Sequence, residues 1–221
     1  MSPATIVRIA GEKGLDIIGI TDHNSTRQAG IIRDYARTKG IFVLTGAEIN
    51  SREEVHGLTF FPDDDRLSEF QAYLDRYLPS IPNNPEKFGY QVVAGIQDEI
   101  LYEEEKLLIT GLDRSIEQIE KKVHELDGIF IPAHIDKIRF SILSQLGFIP
   151  SDLNCDALEL SCHASYSDFI RLYPRLQKMP FIQSSDAHYP QDIGKASVLL
   201  QADDLSFDSI RKAIHNNPLA I

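Results

Sequence analysis

Apolar residues along this chain fall into short runs that alternate with amphipathic stretches, and four of the runs lead into a metal-binding residue type. Residues 15–21 lead into Asp22-His23, 41–47 into Glu48, 129–133 into His134, and 180–185 into Asp186-Ala187-His188. Short β-branched runs bounded by turn residues and interleaved with helical periodicity predict buried parallel strands. In barrels of such strands the chemistry gathers at the strand C-terminal ends. Imidazoles and carboxylates collected at one mouth therefore predict a metal site.

The remaining elements follow from caps and breakers. Ser2-Pro3 predicts a helix start, with Gly14 ending the helix after Lys13. A strand at 15–21, a helix at 26–39 stopped by Gly40 and a strand at 41–47 form a βαβ unit. Residues 55–61 predict another strand, closed by Pro62, and 66–79 an amphipathic helix. The stretch 80–112 is the least readable, with Pro82, Asn83, Asn84 and Pro85 marking a loop. Ser115 caps a helix through Leu126, and Gly128 opens the strand ending at His134. A short helix at 139–147, a strand at 156–161, a helix at 165–178, strands to Ser185 and over 196–201, and a helix at 206–216 complete the chain. No linker or repeat interrupts it, so 1–221 reads as a single domain. Because the chain opens on a helix, a closed parallel barrel would need one more strand before residue 1.

Composition narrows the class. With 43% hydrophobic residues in 221, the chain can bury one core. A formal charge of −11 with no basic stripe argues against stable nucleic-acid binding. Two cysteines, Cys155 and Cys162, are too few for a secreted framework. Neither a signal peptide nor a membrane-length apolar run is visible, and a cytoplasmic location is expected.

Mixed imidazole and carboxylate donors suit zinc, manganese or iron. Glu48 can bridge two ions, and such a pair lowers the pKa of bound water and neutralises charge on a phosphoryl oxygen. The one-residue gap between Asp186 and His188 puts both side chains on one side of an extended segment. Asp22 and His23 are adjacent, so His23 is assigned as ligand and Asp22 as the group orienting it. His163 follows a strand end and is a candidate for lining the pocket. Glu159 reads as a buried polar group, Cys162 as a buried small hydrophobe, and His124 and His215 as surface residues on helices. Lys137 and Arg139, just past His134, either hold a substrate phosphate or belong to a solvated loop, and the loop is preferred.

Thr-Asp-His at 21–23, Gly-Ala-Glu at 46–48, Glu-Val-His at 54–56, Pro-Ala-His at 132–134 and Ser-Asp-Ala-His at 185–188 together resemble the PHP (polymerase and histidinol phosphatase) family, in order and spacing over nearly the whole chain. The resemblance implies a distorted seven-stranded, TIM-like β/α barrel with up to three divalent ions and phosphoester hydrolysis. By position, Glu48 would bridge two metals, with His56 and His134 on one and Asp186 on the other. His23 and His188 would hold the third. The family's opening His-x-His has no counterpart here, so the barrel is expected to lack its first strand, and the sites at Asp186 and at His23/His188 to be under-coordinated.

The reading that results is a metal-dependent phosphoesterase acting on small phosphomonoesters or nucleotides through a metal-bound hydroxide. Glu48, Asp186 and His188 are its catalytic candidates, and His188 or His163 would protonate the leaving group. A catalytically incomplete metal-binding or interaction module is the alternative. An amide-cleaving relative is disfavoured because no strand ends in lysine. An open barrel edge would favour a homo-oligomer.

Overall fold

The computed structural model describes residues 1–217. Helix α1 (Pro3–Glu12) leads to strand β1 (Ile17–Ile20), helix α2 (Ala29–Arg37) and strand β2 (Phe42–Asn50). β1 and β2 pair in parallel, as the βαβ reading predicts. Strand β3 (His56–Phe61) then runs antiparallel to β2. Residues 51–55 are too short a link for a crossover, which takes a dozen residues or more, so the chain has to turn back. The expectation of uniformly parallel strands is corrected here.

After helix α3 (Asp64–Tyr77), the segment least readable from sequence carries helix α4 (Pro85–Phe88) and a hairpin of β4 (Val92–Ala94) and β5 (Ile100–Glu103). Its strands are short and mostly exposed, which leaves little hydrophobic alternation to read. Helix α5 (Ile116–Glu125), capped by Ser115, leads into strand β6 (Ile129–Pro132), which pairs antiparallel with β3. Helix α6 (Ile142–Leu146) starts later than expected because Ser141 caps it, its hydroxyl accepting from the Ser144 amide.

Strand β7 (Leu158–Leu160) and helix α7 (Tyr166–Leu172) follow, and Pro174 ends that helix short of the expected 178. Strand β8 (Phe181–Gln183) lies parallel to β7. No strand forms over 196–201. There Ser185 Oγ takes the place of a ladder, donating to the Ala196 carbonyl and accepting from the Gly194 amide. Helix α8 (Phe207–His215) closes the described chain.

Among the described residues the strands form one sheet in the order β1-β2-β3-β6, a β7-β8 pair and the β4-β5 hairpin; no ladder closes them into the expected seven-stranded barrel. The β7-β8 pair continues the main sheet through two bonds, Asp156 N–H to the Phe130 carbonyl and Ile135 N–H to the Glu159 carbonyl. Phe70 and Phe130 anchor the core on one face, with Ile119 and Leu158. On the other, Leu58, Ile129 and Ile131 meet Ile210 and Ile214 of α8. β2 and β3 approach so closely that a Cβ built on Gly46 would lie 1.6 Å from the Thr59 carbonyl oxygen.

Candidate metal centre

The antiparallel turn places Glu48, near the end of β2, and His56, at the start of β3, at the same edge of the sheet. His23 arrives there because β1 continues past its last residue into a parallel bridge with Glu48. The Glu48 amide donates to the Asp22 carbonyl, and Asn24 returns a bond to the Glu48 carbonyl. Asp22 meets this edge through its backbone carbonyl, and the protein packed around its carboxyl raises that group's pKa. His134, just beyond β6, donates its amide to buried Glu159.

Three imidazoles converge on one buried carboxylate. His56 Nδ1 is 3.0 Å and His134 Nε2 3.2 Å from Glu48 Oε1, while His23 Nδ1 is 3.4 Å from Oε2. The ring of His56 stacks on Phe140 with centroids 4.7 Å apart. His23 Nδ1 and His134 Nδ1 are buried with no hydrogen-bond partner. Such groups are costly unless something fills their lone pairs.

Electrostatics follow from this packing. Burial would raise the Glu48 carboxyl, but bonds from His134 and His56 outweigh it and hold the group far below the usual carboxylate range. Burial lowers His23, despite the pull of Glu48. Burial also acts to lower His134, yet its bond to Glu48 prevails and raises it. Glu159 is pushed up to about 7 by burial, against bonds from Ser184 and the His134 amide.

Asp186 and His188 face the same cleft, which encloses about 680 Å³. The Asp186 carboxylate is engaged by the Lys137 ammonium, and His188 Nδ1 stands 3.6 Å from it. That bond holds the Lys137 ammonium charged, against the burial that would discharge it. Lys137, read from sequence as loop, is thus a half-buried cleft residue. Exposed Arg139 and His163 also line the cleft. His134 and Asp186 both hold left-handed backbone, at φ 33° and 45°.

The donor set fits a divalent ion at the Glu48 end. His23, Glu48 and His56 offer atoms within 4.8 Å of one another. Imidazole with carboxylate is a combination used by zinc, manganese and iron. His23, a member of that group, keeps a buried Nδ1 without a hydrogen-bond partner, which supports the same reading.

Of the two helix histidines expected at the surface, His215 is exposed and His124 is half-buried. His124 binds Glu120 Oε1 at 2.5 Å and Asp156 Oδ2 at 2.9 Å, and exposed His215 reaches Asp156 Oδ1 at 3.1 Å. Helix periodicity carries no sign of Asp156, which lies just ahead of β7. Cys162 is half-buried rather than buried.

Residues 173–218 match a family model described as PHP-associated. The uncharacterized protein YqxK of Bacillus subtilis is 25% identical over 95% of this chain and 54% of its own length. The structure is similar to the lesion-specific endonuclease Q of Pyrococcus furiosus, with TM-score 0.70, 22% identity, and coverage of 96% of this chain and 50% of the endonuclease. It is also similar to a Bifidobacterium adolescentis protein assigned as a metal-dependent phosphoesterase, with TM-score 0.62, 19% identity, and coverage of 96% and 90%. The chain spans about half the length of YqxK and of the endonuclease.

Proposed function

We propose that this chain is a PHP-type metal-dependent phosphoesterase whose substrates are small phosphomonoesters or nucleotides. The observation that carries the proposal is the convergence of His23, His56 and His134 on buried Glu48, with two ring nitrogens left unpartnered. These four residues would hold zinc, manganese or iron. A divalent cation there supplies Lewis acidity, lowering the pKa of water and neutralising charge that builds on a phosphoryl oxygen.

The chain's own groups do the rest. Glu48 stays ionised across the working pH range and keeps the imidazoles oriented. Asp186 lines the same cleft and pairs with Lys137. His188, exposed at the mouth, or His163 passes a proton to the leaving alkoxide. Arg139 on the rim meets the phosphate. A rim with so few cations, on a chain of net charge −11, favours small substrates over long polyanions.

Endonuclease Q has also been crystallised with a 27-mer duplex carrying an abasic lesion at its active site, and its likeness favours a second reading, cleavage of a nucleic-acid phosphodiester. Assaying a generic aryl phosphate, nucleoside monophosphates and an abasic duplex side by side, with manganese or zinc, separates the two. Turnover confined to the duplex would overturn the small-substrate reading. Glu48→Gln should lower metal-dependent turnover by at least about a thousandfold, since it removes the charge the three imidazoles surround. Full activity in that variant would defeat the mechanism.

A further inference from the structure

Within the phosphoesterase reading proposed above, we infer that Lys137 supplies the positive charge at Asp186, so that metal ions are confined to the Glu48 end of the cleft. The inference starts from geometry. The Lys137 ammonium lies directly on Asp186 Oδ2. Its backbone is fixed on both sides: the Lys137 amide donates to the His134 carbonyl at 2.9 Å, and Ser141 Oγ donates to the Lys137 carbonyl at 2.7 Å. Asp136, beside it, is anchored by the amide and hydroxyl of Ser161 at 2.7 and 2.6 Å. The side chain therefore leaves a rigid turn and spans the cleft from the β6 side to the β8 side.

The facing donors agree. Among the described residues, the ligand atoms grouped closely enough to hold an ion belong to His23, Glu48 and His56, and Asp186 is outside that group. His188, its neighbour, is exposed and uses Nδ1 on the Asp186 backbone carbonyl at 3.0 Å. An ammonium has three N–H donors and no lone pair when charged. One donor satisfies Asp186, and two remain for phosphoryl oxygens. Lys137 is thus a positioning residue that does at Asp186 what an ion would do there, without metal ligation.

Metal counting decides this without reference to turnover. The full chain and its Asp186→Asn, Lys137→Gln and Lys137→Gln/Asp186→Asn variants are dialysed against manganese chloride and counted by elemental mass spectrometry. Lys137→Met is a second charge-removing variant, used if the Gln form does not fold. Wild type and Asp186→Asn should bind equal amounts. Lys137→Gln should take up roughly one further manganese per chain, lost again in the double variant. Loss of an ion from wild type on Asp186→Asn would overturn the inference, as would no gain in Lys137→Gln or Lys137→Met. A wild-type chain that binds manganese at Glu48 yet hydrolyses no phosphoester defeats the phosphoesterase reading alone and leaves the count to judge Lys137.

Discussion

His134 and Asp186 both line the cleft from left-handed backbone, a region uncommon for L-residues other than asparagine, aspartate and histidine. Strained positions of this kind persist where surrounding structure holds them, and they cluster at functional sites. Asparagine tolerates the conformation and a β-branched residue does not. Asp186→Val should therefore be about 1–3 kcal/mol less stable than Asp186→Asn in urea denaturation. Equal midpoints would show that φ 45° at this position carries no strain. The candidate donors themselves were legible because each follows an apolar run or a short motif. What they touch was not. Lys137 looked like any lysine in a turn, since nothing local to 132–141 reports Asp186 nearly fifty residues away. His124 departs from its expected exposure for the same reason, its partner Asp156 being supplied by the fold.

At the scale of elements, β2 against β3 is the most demanding contact. A Cβ at Gly46 would overlap the Thr59 carbonyl, a backbone atom that cannot swing away. Gly46→Ala should cost about 4 kcal/mol or more, read by chemical denaturation, and should splay Glu48 from His56. A variant within 1 kcal/mol of wild type, on the scale of ordinary surface changes, would show that the strands part cheaply.

Helix α5 is tied to the strand layer by His124, whose bonds to Asp156 first and Glu120 next raise its pKa above the usual 6.5 against partial burial. The protonated form is thus favoured in the folded state. Its stabilisation is complete below pH 6.5 and is lost as pH rises through the higher folded value. Wild type should lose about 1 kcal/mol over that rise, and His124→Gln should flatten the loss in thermal melts at matched ionic strength. An unchanged pH profile in the variant would remove His124 from the account. The buried strands β1, β2, β3 and β6 were legible from apolar runs of the right length, but the direction of β3 was not. Direction depends on the 51–55 link, whose brevity excludes a crossover.

For the molecule as a whole, the alternation of strands and helices was visible in sequence, whereas the division of the strands among separate ladders and the β4-β5 hairpin were not. The hairpin places Ile100, Leu101 and Tyr102 in solvent, so no buried face writes a period into its residues. No helix among the described residues is long and apolar enough to cross a membrane. The reversal at 51–55 also bears on how the centre assembles. Glu48 and His56 are eight positions apart on adjoining strands, while His134 lies 86 positions from Glu48. Closing the longer loop costs about 2 kcal/mol more in chain entropy. A carboxylate and an imidazole thus come together on the timescale of a single hairpin, microseconds, ahead of the long-range packing that delivers His134. Divalent ions in a refolding buffer would meet a two-toothed chelator well before the finished cleft, and their effect on refolding rate would report on that hairpin alone.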